Sequence, residues 1–410
     1  MEEIKLGLRE NWRQFSILVV VNAFVGGMIG MERTIFPEFA EVEFGVASKT
    51  AILSFITAFG ISKALTNYFT GRLANRYGRR NLLLFGWLIA IPVPFILMSA
   101  TSWNWVIFAN VLLGISQGLT WSSTVVMKID LVGERNRGLA MGLNEFSGYL
   151  AVGLVAFLTG YVAGTYGITP YPFYIGIVIS MIGFIVTLLF VKDTRVFAHK
   201  ENITNSTEQL RHVFIETTFK NKTLSSVTQA GLVNNLNDGM IWGLLPIVLL
   251  SLHYNAEKIG MITAIYPTVW GVSQLFTGRM SDLYSKKAML FWGMLIQGIA
   301  IIFIPMSGTF LMIATLSAIL GLGTALVYPT FLSAIAQATS PMQRAESIGT
   351  FRLWRDLGYA FGAIISGVTA DLFGVDYAIV LVGGLTLVSS FIIKFRMPDL
   401  AKQQSITTEQ

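Results

Sequence analysis

The chain has no cysteine and only three histidines in 410 residues, and Asp, Glu, Lys and Arg together supply only 13% of it. The missing cysteine excludes disulfides, thiol nucleophiles and Cys-ligated metals. Soluble domains carry about 25% charged residues, so the scarcity of charge points to a membrane protein. The 53% hydrophobic content agrees. No Gly-x-x-x-x-Gly-Lys phosphate loop is present, which argues against an ATP-driven pump. The start, MEEIKLGLRENWRQ, lacks a short apolar core ending in small residues, so no cleaved signal peptide is expected. Neither a cofactor nor a metal site is expected.

What the sequence does have is long apolar runs. A hydrocarbon core about 30 Å thick needs about 20 apolar residues per helix. Runs near 14–38, 47–70, 81–101, 104–127, 138–163, 173–192, 223–252, 257–277, 288–307, 309–336, 345–370 and 376–395 predict twelve transmembrane helices. Barrel strands would be shorter and would alternate in polarity. Basic residues set the orientation. The loops on one side hold only Lys49 and Lys258, both at span ends, whereas those on the other are rich in Lys and Arg. Both termini are therefore expected in the cytoplasm, with the protein in the cell membrane. The net charge of +6 is accounted for in this way without nucleic acid as a partner.

The longest polar break, 193–222, divides the chain into an N-terminal bundle (1–192) and a C-terminal bundle with a short tail (223–410). Internal echoes support two pseudo-symmetric six-helix bundles. VNAFVGGMI (Val21–Ile29) aligns with VNNLNDGMI (Val233–Ile241), and FTGRLANRYGRR (Phe69–Arg80) with FTGRMSDLYSKK (Phe276–Lys287). Parallel repeats of this kind are the arrangement of a rocking transporter.

The loop GRLANRYGRR resembles the signature Gly-x-Leu-Ala-Asp-Arg-x-Gly-Arg-Arg/Lys of the major facilitator superfamily, and GRMSDLYSKK its degenerate second copy. The resemblance covers nearly the whole chain. It implies a monomeric secondary active transporter that moves a small solute through the bilayer by alternating access. It also makes Gly71, Asn75, Arg76, Gly78, Arg79, Arg80, Gly278 and Asp282 the cytoplasmic gate loops. Three departures matter. The family's first-loop Asp is Asn75 here, so that latch is expected to be weaker than the one at Asp282. Gly114 stands where proton-coupled members carry an Arg, and the fifth helix lacks the Gly-Pro element of many drug antiporters. GISQG (Gly114–Gly118) also fits the hydrolase pattern Gly-x-Ser-x-Gly, but within an apolar helix it reads as a small-xxx-small packing motif.

Eight ionisable residues fall well inside the spans: Glu32, Arg33, Lys63, Glu145, Asp238, Arg352, Arg355 and Asp356. Intramembrane charges are costly and mark pathways or pairs. At about 100° per residue, Arg33 shares a face with Asn22 and Gly26, and Glu32 points toward a neighbouring helix. Arg352, Arg355 and Asp356 form one stripe. Matching the repeats sets Glu145 against Arg352, and the resemblance, in which these helices border the cytoplasmic gate and helix two abuts helix eleven, implies gate pairs Glu145–Arg352 and Lys63–Asp356. The seventh helix offers Asn234, Asn237, Asp238 and Trp242, with Asp238 free of any local base and the two Asn placed to hydrogen-bond its carboxyl. Gln117, Trp121, Asn144, Gln274 and Tyr328 are further cavity candidates. The resulting expectation is proton-coupled transport of an anionic or zwitterionic solute, with Asp238 carrying the proton. A drug/proton antiporter of the same fold and a non-transporting membrane sensor are the alternatives.

Overall fold

A computed structural model describes residues 6–132, 137–197, 210–339 and 341–399. The first half comprises α1 (Trp12–Arg33, resumed as Phe36–Phe44), α2 (Lys49–Ile52 and Ser54–Tyr77), α3 (Arg79–Ala90 and Pro92–Met98), α4 (Trp103–Val132), α5 (Arg137–Tyr166) and α6 (Tyr171–Phe190). The second comprises α7 (Lys222–Ser251), α8 (Ala256–Leu283), α9 (Lys286–Phe303), α10 (Phe310–Ala338), α11 (Pro341–Phe373) and α12 (Val375–Arg396).

Three of the expected spans are interrupted, α2 at Leu53 and α1 and α3 where proline opens a second segment. Pro37 and Pro92 open the second segments of α1 and α3, where a missing N–H costs nothing. Pro246, Pro267 and Pro329 instead stay inside α7, α8 and α10. Among the described residues nine helices are long and apolar enough to cross a membrane alone, or ten if Phe36–Phe44 and Lys49–Thr70 count as one bent span. The helices that fall short carry the polar groups of interest: Lys63 and Asn67 on α2, Asn234 and Asp238 on α7, Arg352 and Asp356 on α11.

The polarity is arranged for a lipid solvent. Leu189, Leu311 and Phe395 are 66%, 75% and 80% exposed, whereas Glu32, Asp238 and Asp356 are wholly buried. Within the first half α1 packs on α5 and α6, and α4 on α2 and α3; within the second α7 packs on α11 and α12, and α10 on α8 and α9. The correspondence is helix for helix. The halves then meet along α5–α8 and α2–α11, two contacts that exchange with each other under the same repeat.

Glycines set the closest approaches. A Cβ at Gly26 or Gly30 of α1 would stand 2.1 or 2.4 Å from the carbonyl oxygens of Gly148 and Val152 on α5. In the second half the glycines lie on α11, where a Cβ at Gly358 or Gly362 would meet the carbonyls of Leu232 and Leu236 at 2.2 and 2.3 Å. Gly114 and Gly118 of α4 press on Ser62 and Thr66 of α2, so GISQG is a helix contact. Immediately before α7 lie Val213–Ile215 and a π-turn at Glu216–Lys220, fixed by Trp354 Nε1 donating to Thr218 Oγ1 at 3.1 Å. Asn221, one of the chain's Asn-x-Ser/Thr triplets, caps α7 by accepting the N–H groups of Thr223 and Leu224.

Candidate functional site

Every one of the eight intramembrane charges is buried, and most of them line the seam between the halves. The first layer is an ion pair across it. Arg33 of α1 donates through both terminal nitrogens to the two oxygens of Asp238 on α7, at 3.0 and 3.2 Å. A bidentate guanidinium–carboxylate pair is the strongest geometry available to these groups. The guanidinium also lies 4.9 Å from the centre of the Trp242 ring, which faces Phe55 and Phe59 of α2. A water-sized cavity of about 10 Å³ adjoins it, lined by Arg33, Ile241, Trp242, Leu245, Thr263 and Tyr266. Nearby, Thr34 and Thr263 share a hydrogen bond of 3.2 Å between the halves.

The second layer lies on α2, α4, α5, α10 and α11. Asp356 accepts from Arg355 at 2.6 and 2.9 Å, from Asn67 of the other half, and from Asn235 at 3.4 Å. Arg355 also donates to the Tyr328 hydroxyl. Glu145 accepts from Asn144 at 2.7 Å and from the Trp121 indole at 3.3 Å. Arg352 crosses the seam to donate to Ser122 Oγ at 3.0 Å. The Lys63 ammonium sits 5.1 to 5.7 Å from the ring centres of Tyr359, Phe59 and Trp121. Beside these groups Tyr149 of α5 stacks on Trp270 of α8 with centroids 3.4 Å apart.

Several pairings read from the sequence are not the ones formed. Asp356 pairs with its neighbour Arg355, so it does not pair with Lys63 or neutralise Arg352. Glu145 and Arg352 each bind uncharged partners, and the expected gate pair between them is absent among the described residues. The reason is local: adjacent side chains on one helix reach each other without any cross-helix movement. Asp238, which has no base within a turn of its own helix, is held from the other half by Arg33, one of the three bases (with Lys63 and Arg355) that a permanent ion pair could have used. Asn234 and Asn237, expected beside it, turn to Asn235 and Gln297. Glu32 does point away from Arg33, as the helical projection requires, but it meets the Asn110 amide region and no base. Both its oxygens lack a hydrogen-bond partner.

One buried base escaped the sequence reading. α4 runs on to Val132, so Lys128, which the apolar run ending at 127 leaves in a loop, is 1% exposed and donates to Asn144 Oδ1. Asn144 joins it to Glu145, while Asn67 and Ser122, small polar residues on α2 and α4, connect Asp356 to Arg352 through their mutual hydrogen bond. Their signal was available in the Lys63–Asn67 spacing of one helical turn.

At the basic end of the bundle, Gly78 takes φ +93° between α2 and α3, a left-handed value suited to glycine. Arg79 pairs with Asp130 at 2.6 Å, Arg80 donates to the carbonyls of Val191 and Leu188, and Arg76 covers the ring of Tyr77. Partial burial alone would raise the Asp193 carboxyl, but the N–H groups of Arg195 and Arg80 and the Arg195 side chain hold it below its usual range. Gly278 lies within α8 and its carbonyl accepts from Ser281. The side chains of Asn75 and Asp282, and the surroundings of Gly71, lie outside the described residues, and so does the asymmetric latch built on them.

A seam of charged and aromatic groups between two repeated helical bundles suits a protein whose halves move against each other. A family model described as Major Facilitator Superfamily matches residues 16–228 and again 227–410. The chain is 24% identical to the proton-coupled antiporter flippase LtaA of Staphylococcus epidermidis over 340 residues, 78% of this chain and 79% of that protein. It is 24% identical to multidrug resistance protein 2 of Bacillus subtilis over 196 residues, 47% of this chain and 48% of that one. Over the first of its curated relatives the chain thus spans about half their length. In fold it is similar to the human organic anion transporter MFSD10 (TETRAN), with a TM-score of 0.71 at 15% identity over 93% of this chain and 99% of that one. With one family model met twice along almost its full length, the chain is a multi-pass membrane protein that belongs to the Major Facilitator Superfamily of secondary transporters.

Proposed function

We propose that this protein carries a small anionic or zwitterionic solute by alternating access, driven by protons. The observation that supports the solute class is the balance of charge in the second layer. Lys63, Lys128, Arg352 and Arg355 face only Glu145 and Asp356, an excess of two bases buried where an uncompensated charge is expensive. A solute bearing negative charge relieves that excess. The proton role falls on Asp238. Its pair with Arg33 joins the halves, so the halves separate there only by parting two buried charges. A proton on Asp238 removes the attraction and lets Arg33 turn to other acceptors. The basic end is then cytoplasmic, the protein works as a monomer in the cell membrane, and 193–222 links the bundles 1–192 and 223–410.

Asp238→Asn in proteoliposomes tests the coupling. Loss of pH-driven transport with solute counterflow retained supports it, and wild-type gradient-driven rates in that variant would refute it. A drug/proton antiporter remains the second reading because Phe59, Trp121, Trp242 and Tyr359 form a broad aromatic surface at the same seam. Transport of an aromatic cation in preference to a carboxylate would select it.

A further inference from the structure

Three buried cations, Lys63, Lys128 and Arg352, have no acid attached to them among the described residues, and Lys63 and Arg352 come from opposite halves. Lys63 of α2 is 4% exposed, yet among the described residues it makes no hydrogen bond and no ion pair, and its ammonium lies against the rings of Phe59, Trp121 and Tyr359. Arg352 of α11 is 9% exposed and uses a single nitrogen, on Ser122. The two flank the same stretch of α4, since the Lys63 ammonium lies over Trp121 at 5.7 Å and Arg352 holds the adjacent Ser122. Asn67, one turn beyond Lys63, donates to Asp356 and accepts from Ser122, closing the circuit between them. The nearby carboxylates are committed elsewhere, Asp356 to Arg355 and Glu145 to Trp121 and Asn144.

We propose that Lys63 and Arg352 form a two-sided seat for one anionic head group of the solute, a carboxylate or a phosphate, which bridges the halves when it binds. This rests on the anion reading given under Proposed function and adds the residues and the consequence. Two like charges brought together in a low-dielectric seam repel, and an anion between them turns repulsion into two charge-assisted contacts. Because one cation belongs to each half, that exchange draws α2 and α11 together. Binding and closure become the same event. The aromatic rings around Lys63 leave its donors free and give the apolar part of the solute a surface to lie on.

The test is a thermal-stability titration of the purified full-length protein with benzoate, acetate and inorganic phosphate at constant ionic strength. Wild type, Lys63→Gln, Arg352→Gln, Lys63→Arg and the exposed control Lys222→Gln are compared. Removing a hydrogen bond to a charged group costs about 10- to 100-fold in affinity. The Gln variants should therefore bind the stabilising anion about tenfold or more weakly, while Lys63→Arg and Lys222→Gln stay near wild type. Spin labels at the basic ends of α2 and α11 should draw closer with the anion in wild type and fail to do so in Arg352→Gln. The unliganded melting temperatures show whether each variant is folded. A short-chain phosphatidic acid run beside phosphate tells a lipid-borne head group from a free one, and preference for either keeps the seat. Equal anion affinity and equal closure in both Gln variants overturn the seat but leave the anion reading intact. If no anion stabilises or is carried by the wild-type protein, the anion reading falls and the seat with it.

Discussion

Asp371 closes on Ser48 across the two halves, its carboxylate accepting the hydroxyl hydrogen at 2.7 Å although 323 residues separate them in sequence. The same carboxylate accepts the backbone N–H groups of Lys49 at 2.6 Å and Thr50 at 3.0 Å. The last turn of α11 thereby satisfies the first turn of α2, whose leading N–H groups have no partner of their own. This latch lies at the end opposite the basic loops. Asp371→Ala should shift the protein toward a form open at that end, read as a longer distance between labels on Gly45 and Phe373. An unchanged distance distribution would remove the latch role.

The latch should also be indifferent to ordinary acidity. Partial burial would raise the Asp371 carboxyl, but hydrogen bonds from Thr50, Ser48 and the N–H of Lys49 outweigh it and hold the group down at about 2, against an ordinary 3.8. A depressed carboxylate contributes stability that is complete above its unfolded value and is lost only as pH falls through the folded one. Label distances at that end should therefore stay constant from neutral to mildly acidic pH. Opening near pH 5 would assign the closure to some other group.

Breaking the Arg33–Asp238 pair from one side leaves a buried charge alone, a change worth about 3–5 kcal/mol in buried pairs. Arg33→Gln should accordingly lower the melting temperature by several degrees. Arg33→Gln with Asp238→Asn should recover much of that loss, because no charge is then stranded. A double variant as unstable as the sum of the singles would mean that the two side chains contribute independently.

Lys63 should behave in the opposite way. It is a buried cation without an anion, so Lys63→Gln removes a cost and should leave stability equal or raised while transport falls, the trade-off expected of a functional group. Asp356→Asn, which strips Arg355 of its carboxylate, should destabilise. The swap Lys63→Asp with Asp356→Lys should rescue nothing, since it also strands Arg355. Recovery of transport in the swapped protein would restore the direct pair expected between α2 and α11.

Asn75 and Asp282 occupy matching positions of the two repeats, and only Asp282 can offer a charge to a helix N-terminus, worth about 0.3–1 kcal/mol. Asn75→Asp should favour closure at the basic end, shortening the label distance between the two loops. The same labels settle orientation: tags at both termini and within 196–220 should be reached only from the cytoplasm, and one near Gly167 only from outside.

The helices, their number and their duplication were legible because apolar runs and repeated loops are properties of single segments. The burial of charge was equally legible, since Glu32, Arg33 and Asp238 sit too deep to reach water. Partner choice was not. Lys63 and Asp356 lie on the abutting helices α2 and α11, but Arg355 is one residue away from Asp356 and takes it first. Lys128 was hidden by a boundary five residues too short, as the apolar pattern of α4 fades before the helix itself ends at Val132. Periodicity reports which face a residue occupies, and which of several nearby charges it meets depends on side-chain reach.

The helices that a bilayer accepts least readily are the ones that finish against each other. α2, α7 and α11 fall short of spanning on their own apolarity, and α11 packs on both of the others. During synthesis Asn67 enters the membrane 289 residues ahead of Asp356, its eventual acceptor. In that interval α2 must shelter its polar stripe against α4, whose Ser122 and Trp121 are the earliest groups able to receive it. Biogenesis therefore has a natural order, with the first bundle provisional until α11 arrives. A chain cut short before α11 keeps the Arg33–Asp238 pair but leaves Asn67 without its carboxylate acceptor and Lys63 without the Tyr359 ring, polarity that a bilayer accepts only at a cost.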